Sequence, residues 1–265
     1  MGGCPFAQAF LQTTGENAAV FATGCDQMRR AADEAAGDHV FLLNIPATWQ
    51  SPAARQLYRE EIERLGRFLV RMGGRAPTRE ELAGQLLECG TPVPLSCRRS
   101  SAISGTTGCA QNGGGPPIRK RHGGAALQNI PLALVGELPL FSFVDRIENA
   151  GGYLALDATK RTPLFNKAQI EKDPFTALVD GYFDNVVDVF QRPDSRLYDW
   201  LRPRVKGIRG IILWHYAWCD LWRASAERIR EALQLPLLHL DAGDATSFTT
   251  GMQTRLEAFL ETLRA

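Results

Sequence analysis

The 265-residue sequence contains no apolar run approaching the roughly 20 residues needed to cross a bilayer. It also shows no basic-then-apolar segment of secretory type at its start. Both absences lead to the expectation of a soluble, cytoplasmic protein with no membrane partner. Excess charge is lacking as well: 30 Lys and Arg face 29 Asp and Glu, for a net charge of +1. No global field therefore points to nucleic acid or an anionic surface. The basic stretches Arg98-Arg99 and Arg119-Lys120-Arg121-His122 sit in polar, Gly-rich sequence and read as solvated loop. A Walker motif is missing, because Gly108 to Gly113 is followed by Gly114 where a lysine is required. No Gly-x-Gly-x-x-Gly turn closes a strand, so this chain is not expected to bind ATP itself. The six cysteines include no Cys-x-x-Cys pair, which sets aside compact ferredoxin runs and makes structural zinc a weak alternative.

What is present alternates strand-like and helix-like segments, the pattern of an α/β protein with parallel sheets and right-handed crossovers. Apolar runs at 18–22 and 39–45 flank a helical stretch at 27–36. A long amphipathic helix is expected over 52–72, with Leu57, Ile62, Leu65, Phe68 and Leu69 on its apolar face. Thr78 and Glu81 form a capping box for a short helix over 78–87. Residues 91–125, rich in Gly, Ser, Thr and Pro, are expected to be a flexible linker. Beyond it, strands are expected at 132–136, 153–157, 208–214 and 235–240, and helices at 142–150, 174–189, 195–205, 221–233 and 250–263. The organisation expected is two Rossmann- or flavodoxin-like domains, 1–90 and 126–265, joined by that linker.

An internal repeat marks where chemistry is to be sought. Residues 25–32 and 219–226 both match Cys-Asp-x-x-Arg-x-x-Ala. Each copy follows a strand, opens a helix, and is followed by another strand and a long helix. A cysteine at the carboxyl end of a parallel strand lies where open α/β sheets bind ligands. At a helix N-terminus, free amide groups and the dipole favour the thiolate, the form that binds iron. Asp26 and Asp220 suit the N-cap positions beside these cysteines. One such cysteine alone reads equally well as a small buried hydrophobe; two in matching contexts favour ligation. Cys4 precedes Pro5, which suits a first helical position and puts a third cysteine at a helix start. Three thiolates would leave one iron of a four-iron cluster without a cysteine. Cys89, Cys97 and Cys109 fall in or beside the linker and read as incidental thiols.

These motifs resemble the 2-hydroxyacyl-CoA dehydratase and benzoyl-CoA reductase family. The likeness rests on Cys4-Pro5, on Thr23 to Arg30, on Leu134-Val135-Gly136 leading to Ile147–Gly152, and on Asp173-Pro174 leading to Tyr182. It continues in Gly210-Ile211-Ile212, Trp218-Cys219-Asp220, Leu235–Leu238 with Asp241 and Asp244, and Thr254–Phe259. Members carry a substantial region before the first cysteine motif, so the chain resembles an N-terminally short form. The resemblance implies two α/β domains holding one 4Fe–4S cluster through Cys4, Cys25 and Cys219. It implies a homologous second subunit in a heterodimer, and a separate ATP-hydrolysing iron–sulfur activator that delivers one low-potential electron. Its substrate would be an acyl-CoA thioester, whose ketyl radical anion expels a 2-hydroxyl group in the dehydratases, a lyase reaction. A ring reductase of the benzoyl-CoA type, or a shortened electron-transfer relative without turnover, stands as the alternative.

Two further residues are candidates for a catalytic part. His215, four residues before Cys219, is a possible hydrogen-bond donor or proton source, or else a packing residue at a strand end. Glu137 follows the strand ending at Gly136 and could approach the site. Trp214, Trp218 and Trp222 would wall water from a cluster, though core packing also explains them.

Overall fold

The computed structural model describes residues 3–89 and 129–264, apart from 16, 36, 50, 138, 140–142, 160–162, 164, 186 and 244–246. The expected linker at 91–125, with Cys97 and Cys109, lies outside the described residues. The protein is α/β, with a two-stranded sheet and a four-stranded parallel sheet flanked by helices.

By its contacts the chain forms two compact units, 1–42 with 122–160 and 187–265, and 43–121 with 161–186. This division differs from the sequential one at 90 and 125. The N-terminal cysteine module joins the C-terminal sheet because Cys4 and Phe6 pack against that sheet's core.

The first unit begins with α1 (Pro5–Thr14), β1 (Ala19–Ala22), α2 (Asp26–Ala35) and β2 (Val40–Leu43, whose last residue belongs to the second unit). Ala7, Phe21, Ala31 and Ala32 bury the contact between the helices and β1. The larger sheet is built from β3 (Ile130–Gly136), β4 (Gly152–Asp157), β5 (Gly210–His215) and β6 (Leu237–Asp241) in the order β4-β3-β5-β6. Alternation along the strands supplies two cores. Leu132, Leu134, Ile212 and Trp214 face α5 (Val144–Asn149) and α10 (Thr250–Arg264). Ala133, Val135, Ile211 and Leu213 face α8 (Ser195–Arg204) and α9 (Asp220–Leu233). The central strands are buried on both sides, which is why they read as continuous apolar runs. Gly210 is required where α10 crosses β5: a Cβ there would stand 2.6 Å from Leu263 Cδ1 and 2.8 Å from Phe259 Cζ.

The described elements of the second unit are helices: α3 (Pro52–Arg71), α4 (Arg79–Cys89), α6 (Lys167–Lys172) and α7 (Pro174–Phe183). Ser51 caps α3, accepting from Ala54 N at 3.1 Å. Asp173 caps α7, accepting from Phe175 N and Thr176 N at 3.1 and 3.2 Å. The Thr78–Glu81 capping box forms in both directions, at 3.2 and 2.8 Å. The buried stripe of α3 is Ala54, Tyr58, Glu61 and Phe68, so the expected face is met in part: Phe68 is buried and Ile62 packs beside Ala54 and Tyr58, whereas Leu57 and Leu69 are 45% and 46% exposed. The carboxylate hides the stripe from a hydrophobicity count. Glu61 is buried because it accepts from Asn44 N and Nδ2 at 2.8 and 3.1 Å and from Arg64 at 2.9 and 2.6 Å. Cys89 closes α4 and is disulfide-bonded, which corrects its reading as an incidental thiol.

Candidate functional site

The order β4-β3-β5-β6 has one reversal. The chain leaves β3 for β4 on one side and returns to β5 on the other. Ligands of open α/β sheets bind outside the carboxyl ends of the strands at such a switch point. The residues following those two strand ends are Glu137 and the turn from Tyr216 to Cys219.

Local structure fixes both. Gly136 ends β3 with φ +116°, and a Cβ there would lie 2.0 Å from Trp214 O. Only glycine allows the strand end to turn so close against β5. Glu137 N then donates to Trp214 O at 2.9 Å, continuing the ladder by one residue. On the other side Cys219 N donates to Tyr216 O at 3.0 Å, and Cys219 O accepts Arg223 N at 3.2 Å to start α9. Cys219 is itself the N-cap of α9, and Asp220 its first helical residue. This corrects the assignment of Asp220 to the cap.

The repeat seen in the sequence is structural. Cys25 follows β1 and precedes α2, as Cys219 follows β5 and precedes α9. Cys4 is the N-cap of α1, with Pro5 in its first turn, and its N–H donates to Gln27 Oε1 of α2 at 3.3 Å. Neither Cys4 nor Cys219 makes a formal side-chain capping hydrogen bond. The helix-start amides still act on the sulfurs: those of Ala7 and Phe6 pull down the Cys4 thiol pKa, those of Met28 and Gln27 that of Cys25, and that of Trp222 that of Cys219.

Burial outweighs those amides and raises all three thiols above their ordinary value. The second upward influence is shared. The Glu137 carboxylate opposes ionisation of Cys4, Cys25 and Cys219 alike. Cys25 also feels Cys4, and Cys219 feels Cys25. Cys219 is shifted furthest: it is the most buried of the three, the Glu137 charge comes next, and the hydrogen bond its thiol donates to Glu137 Oε1 at 3.0 Å adds to both. Residues 4, 25, 137 and 219 thus occupy one electrostatic neighbourhood. Among the described residues, no three His, Cys, Asp or Glu side chains close tightly enough to hold a single metal ion.

His215 is fully buried and does not join this group through a hydrogen bond to sulfur. Its Nδ1–H donates to Tyr216 O at 2.9 Å, the same carbonyl that receives Cys219 N. Its Nε2 meets His239 Nε2 from β6, a partner the sequence did not announce. Burial, then the neighbouring His215, holds the His239 pKa below the ordinary imidazole value. Trp214 and Trp222 are buried in the two sheet cores, whereas Trp218 is 47% exposed and walls nothing off.

Fold and site together define an α/β protein with a paired thiol and carboxylate, Cys219 and Glu137, at the switch point of a parallel sheet. Residues 2–88 and 120–263 match the family model described as 2-hydroxyglutaryl-CoA dehydratase, D-component. The chain belongs to that family, whose members serve 2-hydroxyacyl-CoA dehydratases. A search of curated proteins finds no match. No described helix is long and apolar enough to cross a membrane.

Proposed function

We propose that the chain is the iron–sulfur subunit of a 2-hydroxyacyl-CoA dehydratase-type lyase, holding one 4Fe–4S cluster through Cys4, Cys25 and Cys219. It works in the cytoplasm with a homologous second subunit and a separate ATP-hydrolysing activator, on an acyl-CoA thioester. The observation that carries this reading is the shared environment of three thiols drawn from separate parts of the chain. Thiols at helix starts, with amides lowering their pKa values, are the donor chemistry a cluster takes. When bound, the cluster would supply one-electron reduction and a Lewis-acidic iron for the thioester carbonyl.

The protein's own contribution is positional. The N-termini of α1, α2 and α9 direct partial positive charge at the three sulfurs. Trp222, buried behind Cys219 at the first turn of α9, keeps that side of the site dry. His215 holds the Tyr216 carbonyl, and with it the turn that presents Cys219. The Cys219 thiol donates its hydrogen to Glu137, and binding of iron there would require that proton to leave.

The test is anaerobic reconstitution of the wild-type chain beside Cys25→Ser and Cys219→Ser. The wild type is expected to turn brown with about four iron per chain, and each variant to lose most of that iron. A wild-type protein that stays colourless and iron-free would end the proposal.

A further inference from the structure

Three cysteines leave one corner of a 4Fe–4S cluster without a thiolate, and a carboxylate is hydrogen-bonded to one of the three sulfurs. Glu137 is hydrogen-bonded to Cys219 at 3.0 Å, and its charge is felt at Cys4 and Cys25 as well. Its backbone has little freedom to leave. The Gly136 turn presses against Trp214 O, and Glu137 N is tied to that same oxygen at 2.9 Å. The side chain, by contrast, has rotatable bonds enough to exchange one partner for another.

We infer that Glu137 is the fourth, carboxylate ligand of the cluster, closing the iron that the cysteines leave open. This rests on the proposed cluster assignment and deepens it. The argument is one of partners. In the metal-free protein the carboxylate sits on Cys219 because a thiol S–H donates to it. Iron at Cys219 removes that hydrogen, and a carboxylate beside a bound thiolate is repelled. The uncapped iron is then the cation within its reach, and carboxylate oxygen is a competent donor to iron. An oxygen ligand binds such an iron less firmly than thiolate and can be displaced. Glu137 would therefore guard the open corner until an acyl-CoA oxygen takes its place.

The experiment compares anaerobically reconstituted wild type, Glu137→Gln and Glu137→Cys by iron content and by EPR of the reduced and mildly oxidised proteins. Circular dichroism establishes that each variant is folded. Glu137→Gln is expected to bind the cluster with a changed reduced spectrum and to lose one iron in four more readily on oxidation. Glu137→Cys is expected to keep its iron and resist that loss, since a thiolate replaces the carboxylate. Should Glu137→Gln fail to fold, the Glu137→Cys comparison decides alone, and oxidation behaviour equal to wild type counts against the inference. Identical spectra and iron retention in wild type and Glu137→Gln would overturn the inference while leaving the three-cysteine centre standing. A wild type that takes up no cluster would overturn both.

Discussion

At the scale of single residues, the metal-free site is a set of neutral thiols kept neutral by burial and by one carboxylate. A thiol whose pKa is raised on folding adds stability below its ordinary value, near 9.0, and loses that contribution as pH rises through the raised one. The metal-free protein is therefore expected to lose thermal stability as pH climbs from about 8 to about 10. Cys219, shifted furthest, should contribute the largest single share of the slope, with Cys4 and Cys25 adding to it. Cys219→Ala is expected to flatten the dependence of Tm on pH in that window, measured by circular dichroism on metal-free protein. Equal slopes in wild type and variant would reject this account. The placement of the three cysteines at helix starts was legible locally, Cys25 and Cys219 from a strand end and an Asp neighbour and Cys4 from Pro5. Glu137 was legible only as a strand-end residue. Its approach to Cys219 depends on β3 and β5 being adjacent, which nothing near residue 137 encodes. His239 was missed for the same reason, since its partner comes from a neighbouring strand.

Elements were legible where their signals are local. The Thr78–Glu81 box formed as expected, and its carboxyl pKa falls to about 2, first through the Arg75 hydrogen bond and then through the Thr78 amide. The strands of the larger sheet were readable from their apolar runs. Helix α6 went unnoticed because six residues give too short a period to detect, and α7 ends at Phe183 rather than continuing to 189. The face of α3 was read only in part, with Phe68 and Ile62 placed rightly and Leu57 and Leu69 not, because its buried stripe mixes a carboxylate with small and aromatic residues. Two residues of the expected face now carry opposite predictions under urea unfolding. Phe68, 1% exposed, should cost about 3–5 kcal/mol when replaced by Ala. Leu57→Ala should stay within about 0.5 kcal/mol of wild type. A large loss from Leu57→Ala would restore the face read from hydrophobicity.

At the scale of the molecule, strand order brings residues 137 and 219 together, because β3 and β5 are neighbours in the larger sheet. One position tests whether that order holds the pair. Gly136 lies at the carboxyl end of β3 with φ +116°, beside the β5 residue whose carbonyl receives Glu137 N. Alanine there meets two penalties. Its backbone conformation is disfavoured by about 1–3 kcal/mol for a residue with a Cβ, and the Cβ itself would fall 2.0 Å from Trp214 O. Relief requires the ends of β3 and β5 to part, which breaks the bond from Glu137 N and withdraws the carboxylate from Cys219. Gly136→Ala is therefore expected to lower the urea midpoint. In the fraction that remains folded, Cys219 should be alkylated faster in the metal-free protein, because its thiol loses both its partner and its cover. Mass spectrometry after a timed iodoacetamide pulse reads this residue directly. Protection of Cys219 equal to wild type, in a folded Gly136→Ala protein, would show that the switch point does not hold the thiol and carboxylate together.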